Sequence, residues 1–409
     1  VFLRWEEGVG LLVDWVDSFF SPGGGFVGYD YLDVAHSQVN GSGPYVFGGS
    51  VWLVIEHYIH SPRGHYHRIY ESTDAGVSWT NAGELLISNT NRAAPLPVFK
   101  GGNIHIFYWL AGSGDKDLHH KIFSCTTRTF SDASTLTLPT FFDPNFQFVS
   151  GVYLDSSDRP IVNRIGGEEY HNSNYIPWLG RWNGSAWEND VLLYPSFVGM
   201  PVRGFNLSWF PNPVGLLASD GKLHFIYCAS NEDEVDVGYS SFVTRYVRYD
   251  PDTGVVDRLT ELSIPAGGPL LIPVEGPHGW VASLFSNGVE LGNDLFFGLL
   301  CLSYNVNDNY VYAAKIKDFA TAPVITMTLL SDVPDLSNDL CAFLDGTRVV
   351  IVWTGASSAT GIVPNTVRVS VSDDAGATWS TETLWDLLTG DARFQGDTAE
   401  EYISAGVIE

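Results

Sequence analysis

Positive charge is scarce in this chain. Of 409 residues, 21 are Lys or Arg against 47 Asp or Glu, a formal net charge of -26. Only six of those cations are Lys, and no stretch is rich in Lys and Arg. A negative field of this size repels phosphate backbones, so nucleic acid is not expected as a partner. Long apolar runs are missing as well: eighteen consecutive apolar residues never occur, so membrane insertion is not expected. No charged-then-apolar leader follows Val1, so any signal is expected to have been removed or never to have existed. Cysteine is limited to Cys125, Cys228, Cys301 and Cys341, far apart and without a C-x-x-C pair. That removes the zinc and thioredoxin patterns and makes these thiols candidates for small buried hydrophobes, with a disulfide between neighbouring strands left open. Clean helical periodicity is rare too. Leu11 to Phe20 is the best helix candidate, and it alternates poorly.

What is present is apolar and turn-rich. Hydrophobic residues make up 45%, aromatics 14%, and Gly and Pro number 42 and 21. A disordered acidic tail would lack the aromatics needed to offset chain entropy. Length alone suggests two or three domains, but all-β architectures hold more residues in one unit, and the β-branched and aromatic content reads as strand.

A short apolar strand, a tight turn and a stronger apolar strand recur six times. The turns are Gly48-Gly49, Gly101-Gly102, Ser157-Asp158, Asp220-Gly221, Asn293-Asp294 and Asp345-Gly346. The strands after them are VWLVIEHYI, IHIFYWLA, PIVNRIG, LHFIYCAS, LFFGLLCLS and VVIVWTG. Gly, Asn and Asp suit such turns because they tolerate positive φ. Steps of 53, 56, 63, 73 and 52 residues separate them, and each unit continues into a third strand, a second sharp turn and a fourth strand. Four-stranded units at this period imply an all-β fold, a six-bladed β-propeller of four-stranded antiparallel blades. We expect a single domain over 1–409, with 1–40 and 381–409 closing the ring or docking on its rim.

Two of the second turns share one pattern. Ser72-Thr73-Asp74-Ala75-Gly76-Val77-Ser78-Trp79 and Ser372-Asp373-Asp374-Ala375-Gly376-Ala377-Thr378-Trp379 both fit S-x-D-x-G-x-[ST]-W. This resembles the Asp-box (BNR) repeat of sialidase-like β-propellers. Trp182 to Trp187 and Asp250 to Gly254 are degenerate relatives in the same slot. An Asp in such a turn can accept backbone N–H groups, Gly permits the left-handed step, and Trp can cover the hairpin. The resemblance implies that Ser72, Asp74, Gly76, Trp79, Ser372, Asp374, Gly376 and Trp379 are structural, on the face away from an active site. The second-to-third loops then lie on the opposite face: His57–Gly64, Ala111–Asp117, Gly166–Tyr175, Ser230–Ser241, Tyr304–Asn309 and Gly355–Pro364. Variable polar loops on a rigid scaffold are where binding is expected.

A catalytic set is hard to assemble. Sialidases carry F/Y-R-I-P near the N-terminus, and here Phe2-Leu3-Arg4-Trp5 lacks Ile-Pro. Propeller polysaccharide lyases, a second comparison, use His, Tyr and Arg. His60, Arg63, His119, Arg164, Tyr170 and His171 are the candidates for such roles, since imidazole suits general base work. For glycan binding we single out Trp109, Asp117, Glu169, Tyr170, Tyr175 and Tyr239, rings to stack on sugar faces and carboxylates to accept hydroxyl protons. His105 and His224 alternate with apolar residues and read as satisfied strand positions. No cofactor or catalytic metal is expected. Structural calcium at Asp250 and Asp252, or at Asn305, Asn307 and Asp308, suits the oxygen ligands there. The expected function is non-catalytic recognition of carbohydrate at a cell surface, by a virion or phage attachment protein or a secreted adhesin. A glycan-active enzyme, lyase ahead of sialidase, and a structural component contacting other subunits of a larger assembly are the alternatives.

Overall fold

The computed structural model describes residues 2–6, 10–14, 31–33, 44–60, 63–76, 78–88, 96–108, 110, 117–133, 135–137, 148–166, 176–190, 214–230, 242–262, 280–285, 288–303, 309–331, 340–355, 366–386 and 404–405. Every regular element among them is a β-strand. The fold class is all-β: six four-stranded antiparallel meanders in succession, the blade pattern of a β-propeller.

The first sheet orders Tyr31–Asp33, Ser50–His60, Arg63–Ser72 and Thr80–Ser88. The second orders Leu96–Lys100, Asn103–Tyr108, Asp117–Ser124 and Thr129–Asp132. Phe148–Leu154, Pro160–Gly166, Ile176–Trp182 and Trp187–Asp190 form the third. The fourth contains Val214–Leu217, Leu223–Ser230, Phe242–Asp250 and Val255–Leu262. Trp280–Phe285, Asp294–Ser303, Asn309–Lys317 and Val324–Leu329 make the fifth; Leu340–Asp345, Arg348–Gly355, Thr366–Ser372 and Ser380–Asp386 make the sixth. Short extra strands pair with the second strand of the first and fifth sheets, Tyr45–Phe47 and Val289–Leu291, and Leu136–Thr137 pairs with the third strand of the second.

Local chemistry explains the hairpins. Gly48, Gly49, Gly101 and Gly102 all have positive φ, the geometry of a two-residue turn whose twist matches its strands. Two turns fall one residue earlier or later than the repeat suggests. Gly292-Asn293 links Val289–Leu291 to Asp294–Ser303, and Gly346-Thr347 links Leu340–Asp345 to Arg348–Gly355, because Gly292 and Gly346 take the positive φ (62° and 57°).

Three other expectations need correction. The helix candidate at 11–20 is strand where it is described, Gly10–Asp14 pairing antiparallel with Phe2–Glu6. Leu11, Leu12 and Val13 fit an extended ladder better than the weak helical period. The proposed loop 57–64 is mostly ladder, since Ser50–His60 pairs with Arg63–Ser72 out to His60↔Arg63. The segment 381–409, expected to close the ring or dock on its rim, overlaps a blade, because Ser380–Asp386 is the sixth sheet's fourth strand. Near the two chain ends, Phe2 and Leu3 pair in parallel with Ser404 and Ala405, in a small three-stranded sheet of its own.

The chain divides into two compact units: 1–166 with 180–189 and 404–409, and 167–179 with 190–403. In the first unit, alternation along each strand sends apolar side chains to both faces of the second sheet. Ile104, Ile106 and Phe123 pack with Trp52, Val54 and Ile69 of the first sheet. Leu96, Phe107 and Leu118 pack with Val152, Leu154 and Val162 of the third. In the second unit, Val311, Ala313 and Leu330 of the fifth sheet pack with Leu340, Ala342, Ile351 and Trp353 of the sixth. Face-to-face packing of successive sheets is what the blade pattern requires. Cys125 and Cys341 are buried free thiols, and burial pushes the Cys125 thiol up to about 11.

Candidate functional site

The register sorts each sheet into two ends. In the first sheet Val51, Ser72 and Thr80 lie at one end, where the first-to-second and third-to-fourth turns sit, and His60 and Arg63 lie at the other. We call these the turn end and the loop end.

At the turn end the side chains are committed to backbone and to one another. Asp74 Oδ1 accepts the Ser78 N–H at 2.8 Å, while Oδ2 accepts the Ser78 hydroxyl. Ser72 Oγ donates to Asp74 Oδ1 at 2.7 Å and accepts the Gly76 N–H at 2.8 Å. Trp79 folds back so that Nε1 donates to Gly76 O at 3.0 Å. The sixth sheet repeats the scheme: Asp374 accepts the Thr378 N–H at 2.8 Å and its hydroxyl at 2.6 Å, and Gly376 N donates to Ser372 Oγ at 2.7 Å. Trp379 packs against the seam of the fifth and sixth sheets. The hydroxyl and N–H donors hold each Asp carboxyl down to about 2. Positive φ at Ala75-Gly76 and Ala375-Gly376 completes both turns.

The degenerate turns reach the same end with other atoms. In the third sheet Asn183 Oδ1 accepts the Ser185 and Ala186 N–H groups, both at 2.9 Å. In the fourth, Asp250 Oδ1 accepts those of Asp252 and Thr253 at 3.0 and 3.1 Å. Asp250 also faces Lys222 Nζ at 3.4 Å. Its oxygens thus serve N–H groups of the turn and an internal cation. Among the described residues no three His, Cys, Asp or Glu cluster as metal ligands. Asn305, Asn307 and Asp308 lie outside the described residues.

Cations stitch neighbouring sheets together at this end. Arg128 of the second sheet makes a bidentate pair with the buried Glu71 of the first, at 2.7 and 2.8 Å. Its guanidinium lies 5.9 Å from the Trp52 ring centroid, and Ser50 Oγ donates to the same carboxylate at 2.8 Å. These contacts, Arg128 foremost, hold the Glu71 carboxyl below its ordinary value. Lys100 of the second sheet pairs with Asp158 of the third. Within the second unit, Arg248 donates to Phe319 O and Ala320 O at 2.9 and 2.7 Å, and Lys315 donates to Ala375 O at 2.7 Å. Among the described residues, ten cationic side chains make ion pairs with Asp or Glu. The few positive charges of the chain are therefore largely structural where they are described.

The loop end of the second sheet carries a different kind of cluster. The His119 ring stacks on the buried Tyr108 ring at 4.9 Å and 13°. His67, buried on the first sheet, meets the same Tyr108 edge-on at 5.3 Å and 87°. Asp117 Oδ1 accepts the Thr137 hydroxyl at 2.7 Å, and Thr137 O accepts Trp187 Nε1 of the third sheet at 2.9 Å. Strand geometry explains the set. Asp117 and His119 are two apart and share a face of their strand, and Tyr108 is the direct cross-strand partner of His119. Chemically, the cluster brings a half-buried imidazole, a phenol and a carboxylate to one end of the sheet.

Two of the sequence-derived site residues, Asp117 and His119, thus fall in one cluster. His60, Arg63 and Arg164 are placed on strands, with their side chains outside the description. Trp109, Glu169, Tyr170, His171, Tyr175 and Tyr239 lie outside the described residues. Tyr108 was not among the candidates; its signal is its place at the end of a second strand, opposite a His on the third. His105 and His224 are satisfied strand positions, His105 against His120 at 3.1 Å and His224 against Tyr246 Oη and Asp220 at 2.6 and 3.1 Å.

No protein-family model matches the chain, and no curated protein matches it. Solved structures similar in fold include a protein of unknown function from Dyadobacter fermentans DSM 18053, at 11% identity and TM-score 0.44, covering 81% of this chain and 94% of that one. The polysaccharide lyase Uly1 is 10% identical over 84% of this chain and 81% of its own, with a TM-score of 0.47. An alpha-L-arabinanase of Penicillium chrysogenum, complexed with arabinobiose, is 13% identical over 86% and 85%, with a TM-score of 0.40. Likeness at this level says nothing about activity, which has to be argued from the site.

Proposed function

We propose that the chain is a sialidase-like β-propeller, a single domain over 1–409, that recognises carbohydrate through the loop end of its blades without transforming it. The observation that carries this reading is the division of labour between the two ends. Turn-end polar groups are consumed by Asp-box turns and inter-sheet ion pairs, whereas the loop end of the second sheet presents the Tyr108–His119 stack beside Asp117. Such a ring face suits the apolar face of a pyranose, and an adjacent carboxylate accepts sugar hydroxyls. Trp109, Glu169, Tyr170, Tyr175 and Tyr239 would extend this surface from the loops that follow. The setting that fits is extracellular or a virion surface, as an attachment protein or secreted adhesin, with other subunits of a larger assembly as further partners.

A glycan array read alongside reducing-sugar and unsaturated-uronate assays tests this. Retention of a glycan class without turnover is expected, and absence of any retained glycan would contradict it. The grouping of His67, Tyr108 and His119 favours one second reading, a propeller lyase in which imidazole removes a proton. His60, Arg63, Arg164 and His171 would then complete the site. Unsaturated product in the same assay would select that reading.

A further inference from the structure

His105 and His120 form a buried pair at the seam of the second and third sheets. His105 Nδ1 and His120 Nε2 face each other at 3.1 Å, so one N–H donates and the other nitrogen accepts. The rings stack at 5.3 Å, and His120 also lies on the Phe107 ring at 4.0 Å. Phe107 and Leu118 beside them belong to the apolar seam with Val152, Leu154 and Val162.

The fourth sheet carries the same device with different chemistry. His105 follows its turn glycine, Gly102, by three residues, and His224 follows Gly221 by three. His120 sits across from Phe107, two residues past His105, and Tyr246 across from Ile226, two past His224. The positions are equivalent, and His224 likewise meets the following sheet, through Phe319 at 5.1 Å. Yet His224 has a carboxylate in contact, Asp220 at 3.1 Å, and a phenol for its other nitrogen. Burial holds the His224 imidazole below the ordinary His range as well, but a proton arriving there finds a counter-ion, whereas a proton arriving at the His105–His120 pair finds another imidazole.

The charged groups around that pair offer little relief. Lys100 on the first strand and Asp158 from the third sheet act on His105 in opposite directions and pair with each other. In the same third-sheet turn, Asp155 is bound by Arg159 at 2.6 Å. On the third and fourth strands Lys121 pairs with Asp132, and Asp117 takes the Thr137 hydroxyl. Burial holds both imidazoles below the ordinary His range, His120 at about 4. Unfolded His takes up a proton near pH 6.5, so stability from the pair is full above that value and is lost as pH falls toward about 4.

We propose that the His105–His120 pair is an acid-sensitive latch: neutral, it closes the seam of the second and third sheets, and protonated, it opens that seam while the fourth–fifth seam holds. His119 adjoins His120 on one strand, so opening disturbs the Tyr108–His119 stack and would couple acidity to release of a ligand held there. The latch stands on the seam itself and survives if the carbohydrate reading fails.

Hydrogen exchange of the full chain between pH 7 and 4, corrected for intrinsic rates, tests it. The expectation is that 103–108, 117–124 and 148–154 lose protection at a higher pH than 223–230 and 242–250. His120→Tyr, which copies the fourth sheet's ring partner, and His105→Gln should each lower the acid midpoint of the second–third seam by about one pH unit. Simultaneous opening of both seams in the wild type, or opening of the fourth–fifth seam first, overturns the latch whatever the variants do. So does an unchanged midpoint in whichever variant folds.

Discussion

The two ends of the sheets are built on opposite principles. At the turn end, acidic and hydroxyl side chains serve the backbone, and cations reach across to the neighbouring sheet. At the loop end of the second sheet, rings meet rings, and the Asp117 carboxylate accepts the Thr137 hydroxyl. The difference teaches that one composition can serve two purposes when a repeat separates them in space. Acidic residues that look like a surface field in the sequence are, at the turns, replacements for backbone acceptors.

Several substitutions would break or sharpen this contrast. The largest effect is expected at a turn glycine. Gly102 has φ +78°, and a Cβ there would lie 2.5 Å from the Phe47 ring of the first sheet, whereas Gly48, at φ +65°, opens onto empty space. Gly102→Ala should cost about 2–4 kcal/mol and Gly48→Ala about 1 kcal/mol, measured by chemical denaturation. Equal costs would mean that inter-sheet contact does not govern the turn end. Next comes the loop end: His119→Ala should weaken binding of an array-identified glycan about tenfold while leaving the thermal midpoint within a degree or two. A variant that loses stability and keeps binding would place His119 with the scaffold. Glu71→Gln should destabilise by about 1–2 kcal/mol, discounted because half of Arg128 faces solvent, with glycan affinity unchanged. The smallest effect is expected for Asp74→Asn and Asp374→Asn. Both carboxyls are held near 2, below the unfolded value, so their contribution is present above about pH 4 and disappears as pH falls toward 2. The variants should therefore melt below the wild type at neutral pH and converge with it near pH 2.

Much of this fold was legible because turn chemistry is local. Gly-Gly pairs, Asp-Gly pairs and the two S-x-D-x-G-x-[ST]-W segments announce their backbone conformation wherever they stand, and all six strands after the first turns lie where the repeat puts them. Even the one-residue shifts at Gly292 and Gly346 have a local cause, since the glycine and not the adjacent Asp or Asn takes positive φ. The site was harder to read. Asp117 and His119 were visible as polar residues beside a loop, but the ring that organises them, Tyr108, is marked only by cross-strand register. The partner of Asp250 was hidden for a similar reason: Lys222, distant in sequence, is what meets it. Which charge answers which is settled by tertiary pairing, not by spacing along the chain.

The central claim is that the loop end binds and the turn end only builds. Hydrogen-exchange protection by a glycan retained on the array tests it most directly. The account predicts protection concentrated in 103–108 and 117–124, with the turns at 72–80 and 372–380 unchanged. Protection at those turns, with none around Tyr108 and His119, would contradict it.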